Sequence, residues 1–504
     1  MNLGRFAGVL LATSVLSGCV SLLPPSNQPI TTVDGTTGYR PFNTHRKPVG
    51  DHQVILAFSG GGTRAAALSY GVLQELRDTT IQDPQQPAER LLDEVDLISS
   101  VSGGSFTAAY YGLYGDDIFR DYEKDFLRKS VQSSLINNLL SPRYWYHAMF
   151  SGINRTDMAV DYYNRTIFRD ATFADIPLEK RPFIEINATD LSTGAHFSFA
   201  QGYFDALCTD LYQFPVARAV TASSGVPMAF PPVTLKNHAG QCDIQHSYLG
   251  PIIEKQVFDN PREEELITTF RSYLDAEKRP YIHLVDGGVS DNLGLRAVLD
   301  RNELMNRNLA GMMQQNPVRD VLVILVNAQV KPEKPLDKTY QSPSMLQTAG
   351  ALTDALISRY TVETRALVRS QMEALEQEAQ QQGFDVRFYF VEVDFAALES
   401  PGLQQYFNNL PTTLELSNGE VDILIEAGRE LLRQSQPYQQ FLTRNRGTRV
   451  TRDEPACART RRWSMCASAS AAEDDTLGMI GDQFETCEID LIAVKDRSAP
   501  DARH

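Results

Sequence analysis

The sequence predicts an α/β fold of three layers, with a mainly parallel central sheet covered by helices on both faces. Three observations predict it. Continuous apolar runs such as VILAF (54–58) and VLVILV (321–326) lack the alternation of a half-exposed strand and read as strands buried on both faces. Stretches with helical spacing follow these runs, as in TRAAALSYGVLQELRD, where Ala65, Leu68, Val72, Leu73 and Leu76 share a face. The runs also end in glycine- or serine-rich turns, the places where open α/β sheets collect functional groups.

The chain has 504 residues, 42% hydrophobic and 22% charged, enough for one large or two medium domains. Its net charge of −16 argues against nucleic acid as a partner, and against recruitment to anionic lipid by a basic patch. The first residues, MNLGRFAGVLLATSVLSGCV, place one cation, Arg5, before an apolar stretch from Phe6 to Leu16. That pattern is a secretory signal, too short to span a bilayer. LSGC at 16–19 resembles the bacterial lipobox. The resemblance implies a signal peptide over 1–18 and a membrane anchor through lipidated Cys19 in a bacterial cell envelope. Val20 stands where an aspartate would signal inner-membrane retention, so the outer membrane is the expected home.

Residues 19–50, rich in Pro, Thr and Gly, read as a lipidated tether. The main domain is expected over 51–445, with strands at 53–58, 94–100, 182–191, 195–201 and 281–286, then at 320–328 and 385–395. Helices follow the first two strands, and others are expected at 352–381 and 419–434. Residues 446–504 form a C-terminal extension of mixed charge and small residues. In an oxidising compartment Cys208 and Cys242 are expected to pair, with a second bridge among Cys457, Cys466 and Cys487. Zinc is not expected, because no CxxC pair or histidine cluster accompanies these cysteines.

Three stretches carry chemistry. FSGGGTR (58–64) offers backbone N–H groups at a helix N-terminus, suited to a developing oxyanion. It lacks the lysine of a Walker A loop, and the strand at 94–100 ends in serines where a dinucleotide site needs an acid. In SSVSGGS (99–105), Ser102 has a small residue two positions before and two after it, as a strained nucleophile elbow requires. Taken alone, a helix-capping serine explains that stretch equally well. In YIHLVDGGVSDNLGL (281–295), Asp286 closes an apolar strand before two glycines, and Asp291 fits an N-cap of the next helix.

SGGGTRAAALSYGVLQEL, ISSVSGGS and HLVDGGVSDNLGL together resemble the patatin-like phospholipase family, and the glycine loop is also similar to that of cytosolic phospholipases A2. NATDLSTGAHFSFA and ARAVTASSGVPMAFPPV resemble the family's connecting blocks, so the likeness runs from about residue 53 to 300. It implies a patatin-like fold and a serine–aspartate dyad without histidine, with Ser102 as nucleophile and Asp286 as base. Gly60, Gly61, Gly62 and Gly103 would form the oxyanion hole. Arg64 would steady the oxyanion or a lipid phosphate. No metal or cofactor is implied. Two departures stand out: Ser100 replaces the elbow's first glycine, and DNLG replaces an Asn-Pro-type ending.

The scarcity of histidine fits the dyad. After Asp286 only His504 remains, whereas an α/β-hydrolase triad places its histidine last. His283 should face away from Asp286 and serve in core packing or in packing behind the site, while His196 and His246 are expected on surfaces or loops. The expected function is a membrane-anchored lipid acyl hydrolase of phospholipase A or lysophospholipase type. The alternatives are an idle, partner-binding surface lipoprotein and an esterase for small soluble esters. SPRYWYHAMF (141–150), with Tyr144, Trp145, Tyr146 and Phe150, reads as an interfacial segment or lid, or equally as a core helix.

Overall fold

The computed structural model describes residues 23–41, 50–82, 88–226, 229–256, 259–304, 318–331, 340 and 342–450. The expected signal, Cys19, the three C-terminal cysteines and all of the extension beyond residue 450 lie outside the described residues.

Eight strands build the main sheet: β1 (His52–Phe58), β2 (Val95–Val101), β3 (Phe183–Asp190), β4 (His196–Ser198), β5 (Val233–Lys236), β6 (Tyr281–Asp286), β7 (Asp320–Asn327) and β8 (Arg387–Asp394). Their order is β8-β7-β1-β2-β3-β6-β5, with β4 also on β3. The pairings from β8 across to β3 are parallel, and β4, β5 and β6 join antiparallel. The fold is therefore α/β with a mainly parallel sheet, and among the described residues every apolar run predicted as a strand is one; the strand-like CEIDLIAVKD (487–496) lies outside them.

β3 acts as a ruler for the site. Val101, the last residue of β2, pairs with Asn187, and Asp286, the last residue of β6, pairs with the next residue, Ala188. β4 pairs with residues 187–189 as well, so it occupies one edge of β3 while β2 and β6 share the other. Two strands running in opposite directions thus meet head to head, carboxyl end to carboxyl end. Asp286 reaches the rim from above, on a strand opposed to the one that carries Ser102.

The helices that matter for the site are α1 (Gly62–Asp78), α2 (Gly103–Tyr114), α3 (Val131–Leu140), α4 (Pro142–Ser151), α5 (Val216–Ser223), α6 (Gly288–Asp291), α7 (Met345–Gln381) and α8 (Asn418–Arg433). α1 is buried along its whole length, packed between α2 and α8. Its charged end survives burial because each acid is paired: Glu75 with Arg433 at 2.8 Å, and Asp78 with Arg77 at 2.8 Å and Arg429 at 3.1 Å.

Residues 23–41 are not a bare tether. Pro29 bridges to Thr209, and the Tyr39 ring is fully buried against Phe173 and Phe183, its hydroxyl bonded to both backbone groups of Ile184 at 2.9 Å. Arg40 donates two hydrogen bonds to the buried carboxylate of Asp205. Pro, Thr and Gly supplied no apolar period there, but two anchoring side chains suffice to dock an irregular segment. Cys208 and Cys242 are disulfide-bonded, as expected. At the other end, Thr448–Arg449 pairs with Thr79–Ile81, which in turn pairs with Glu89–Arg90, in a small antiparallel sheet.

Candidate active site

The chain leaves β2 at Val101, turns at Ser102 and enters α2 at Gly103. Ser102 sits at φ 50° and ψ −119°, a region that costs a non-glycine residue about 1–3 kcal/mol. Such an outlier at a strand–helix turn is the geometry that a nucleophile elbow requires. Gly103 cannot carry a side chain, because a Cβ there would run into the backbone of Gly62. The glycine loop and the elbow therefore touch. Ser100, standing where the elbow's first glycine was expected, is fully buried, and its hydroxyl donates to the Glu185 carbonyl at 3.1 Å. The substitution is absorbed without an unpaired polar group.

The Ser102 hydroxyl donates to Asp286 Oδ2 at 3.1 Å. Asp286 Oδ1 accepts the Gly288 N–H at 2.8 Å, which fixes the carboxylate's rotation. Burial pushes the Asp286 carboxyl up to about 6, against the opposing pull of the Gly288 and Ser102 hydrogen bonds. A carboxylate destabilised in this way is a stronger base than an exposed one and is still ionised at neutral pH.

Above the dyad lies the glycine loop. Gly61 and Gly62 take φ values of 142° and 61°, a backbone that side-chain-bearing residues adopt rarely. The N–H groups of Gly61, Gly62 and Gly103 have no hydrogen-bond partner among the described residues. Gly60 differs from the expectation: its N–H is already donated to the Asn292 carbonyl at 3.0 Å, so it ties the loop to the Asp286 turn and offers no free donor. On the far side of the three free amides, the Thr63 N–H is spent on Thr413 O at 2.8 Å.

Arg64 also departs from its expected place. It is 2% exposed, and it donates to Ala328 O at 2.9 Å, Leu410 O at 2.6 Å and Thr412 Oγ1 at 3.0 Å. Burial lowers its guanidinium to about 10. This geometry fastens the loop to residues 410–413 from behind, leaving phosphate contact without support. Asp291 behaves as a cap, accepting the Leu293 and Arg296 N–H groups, with the helix proper over Arg296–Leu304.

The histidines fall differently from expectation. His283 does face away from the dyad but is exposed, bonded through Nδ1 to Thr234 Oγ1 at 3.0 Å. His196, expected at the surface, is buried on β4, with Nε2 2.8 Å from Asn187 Oδ1 and Nδ1 3.5 Å from Asp300 Oδ2. The Asn187 amide in turn donates to Ser99 Oγ and Ser100 O, so this network braces the end of β2. Sequence reasoning also assigned no role to Ser223 and Gly225. The small-residue run ASSG within the ARAVTASSGVPMAFPPV block was the signal available.

The site is thus a strand–elbow–helix turn that opposes a buried carboxylate beside a glycine loop. The sequence model described as "Patatin-like phospholipase" matches residues 56–299. No curated protein matches the chain. Among solved structures it is similar to human GIVD cytosolic phospholipase A2, at 14% identity and a TM-score of 0.32, covering 54% of this chain and 45% of that one. It is also similar to VipD from Legionella pneumophila, at 12% identity and a TM-score of 0.29, covering 92% and 78% respectively. The chain thus spans less than half the length of the human enzyme.

Proposed function

We propose that the protein hydrolyses carboxylic esters of membrane lipids through an acyl-serine intermediate on a Ser102–Asp286 dyad. The single observation that carries this reading is the 3.1 Å contact from Ser102 Oγ to the buried Asp286 carboxylate. Asp286 takes the hydroxyl proton as Ser102 Oγ attacks the ester carbonyl. The oxyanion that forms is met by the free N–H groups of Gly61, Gly62 and Gly103. As the tetrahedral species collapses, the protonated Asp286 gives its proton to the departing alcohol oxygen. Water, deprotonated by the same carboxylate, then attacks the acyl-serine, and the acid leaves with Ser102 restored.

Exposed apolar surface, part of it beside the site, favours a lipid over a small soluble ester. α7 packs on α6, the turn that follows Asp286, and its Met345, Leu352, Leu356 and Tyr360 form one exposed stripe at helical spacing. α4 exposes Tyr146 and Met149 and half-exposes Trp145, which favours an interfacial segment over a core helix there. Among the described residues no helix is long and apolar enough to cross a membrane. Attachment to the outer membrane through lipidated Cys19 belongs to the same proposal, and mass spectrometry showing an unmodified Cys19 thiol in envelope fractions would remove it.

The test of function is a fluorophosphonate label followed by peptide mass spectrometry. Label on Ser102, with fatty acid released from phospholipid vesicles, is the expected result. No label and no release would leave the partner-binding alternative. Release from monomeric esters alone would leave the soluble esterase.

A further inference from the structure

We propose that Ser223, at the end of α5, is a positioning residue for the nucleophile, and that the segment Ser223–Gly225 holds both members of the dyad in register. The inference rests on the dyad reading above and extends it to residues that touch neither substrate nor the reacting atoms.

The hydrogen bonds of the Ser223 hydroxyl can be assigned completely. It lies 2.6 Å from the Asn187 carbonyl, which only accepts, so the Ser223 proton goes there. Its oxygen must then accept from its other two neighbours, the Ser102 N–H at 2.9 Å and the Ser105 hydroxyl at 3.0 Å. One proton and two lone pairs exhaust a serine hydroxyl. Ser223 is fully buried, so water cannot replace any of these partners.

The Ser102 bond falls where strain is stored. Ser102 keeps its unfavourable φ of 50° only if the surroundings hold it. Rotating the peptide between Val101 and Ser102 toward a relaxed geometry would pull its N–H off Ser223 and swing the hydroxyl away from Asp286. The backbone of the same segment holds the base. Ser223 O accepts the Gly287 N–H at 3.1 Å, and Gly225 O accepts the Asp286 N–H at 3.0 Å. One three-residue stretch thus grips the two strand ends that meet on β3, and Asn187, the residue opposite Val101, grips Ser223 in turn.

The experiment compares Ser223→Ala, Ser223→Thr and Ser223→Cys with the wild type, reading the second-order rate of fluorophosphonate labelling at Ser102 together with kcat, KM and Tm. Loss of one buried acceptor should slow labelling and lower kcat roughly 10- to 100-fold, with KM changed by less than about twofold. Thr keeps the oxygen and should recover most of the rate. Cys is close in volume and a weak acceptor, so it should fold even if Ala does not, and should remain slow. The acid limb of the pH profile should stay where it is, because Ser223 does not touch the carboxylate. Wild-type labelling rates in a folded Ala or Cys variant, with or without a lower Tm, would overturn the proposal. If the wild type itself takes no label at Ser102, the dyad reading falls and this proposal falls with it. A labelled wild type beside equally fast variants removes only the role of Ser223.

Discussion

The two halves of the sheet deliver the two members of the proposed dyad by opposite means. On the parallel side, β2 runs up to the rim and hands over Ser102 through a strained elbow. On the antiparallel side, β6 runs down to the same rim and ends on Asp286, one residue further along β3. Ser102 is held against backbone strain, and Asp286 against desolvation, which pushes its carboxyl up to about 6. The difference teaches that the proposed dyad is a junction of two strand ends. Each half should therefore fail in its own way.

Removing the nucleophile is the harshest break. Ser102→Ala should lower kcat by about 10⁴-fold or more, as loss of a nucleophile does elsewhere, and abolish labelling, with Tm unchanged or raised as strain is relieved. Steady-state turnover measures the first effect and a thermal melt the second. Next comes the glycine loop shared by both halves. Gly61→Val places a branched side chain at φ 142°, and its turnover should fall by about 10²- to 10³-fold through loss of oxyanion donors. Near-wild-type kcat would show that the free amides do nothing.

The antiparallel side leans on a covalent tie. Replacing Cys208 and Cys242 together by serine frees a link across 34 residues, and loop-closure entropy puts the cost at about 4 kcal/mol of stability. Denaturant melts should register that cost, and kcat at a permissive temperature should remain within about twofold of wild type. The smallest effect is expected at His283, exposed on β6. His283→Ala should alter stability by less than about 0.5 kcal/mol and leave the pH profile unmoved, as a dyad without histidine requires.

Much of this arrangement was legible in the sequence. The strands and the buried face of α1 stand where the residues predicted, because apolar runs report burial locally; Ser102 and Asp286 lie at the strand ends where glycine turns placed them, and Cys208 and Cys242 pair as a secreted chain allows. Strand direction was not legible from LVDGG, since an apolar strand ending in Asp-Gly-Gly looks the same from either direction. A weaker signal was present. Tyr281 and His283 are exposed while Ile282 and Leu284 are buried, the alternation of an antiparallel strand with one open face, whereas β1 is buried almost throughout. Gly60 and Arg64 were misplaced for another reason. Whether an amide is free, or where a guanidinium points, depends on Asn292, Ala328 and Leu410, which lie far away in sequence. His196 could not be recognised as buried because its partners, Asn187 and Asp300, come from other elements.

The central claim, that Asp286 is a buried base, is tested most directly by measuring activity and stability of Asp286→Asn against wild type across pH. A carboxyl raised to about 6 in the fold, from an ordinary 3.8, binds its proton more tightly folded than unfolded. Its contribution to stability is therefore fully present below about pH 4 and is lost as pH rises through about 6, a loss on the order of 3 kcal/mol by pH 8. Asparagine escapes that loss. The variant should be inactive at every pH, more stable than wild type at pH 8, and no more stable at pH 4, while wild-type kcat/KM should rise through an apparent pKa near 6. An active Asp286→Asn, or an inactive one that is less stable than wild type at pH 8, would contradict the account.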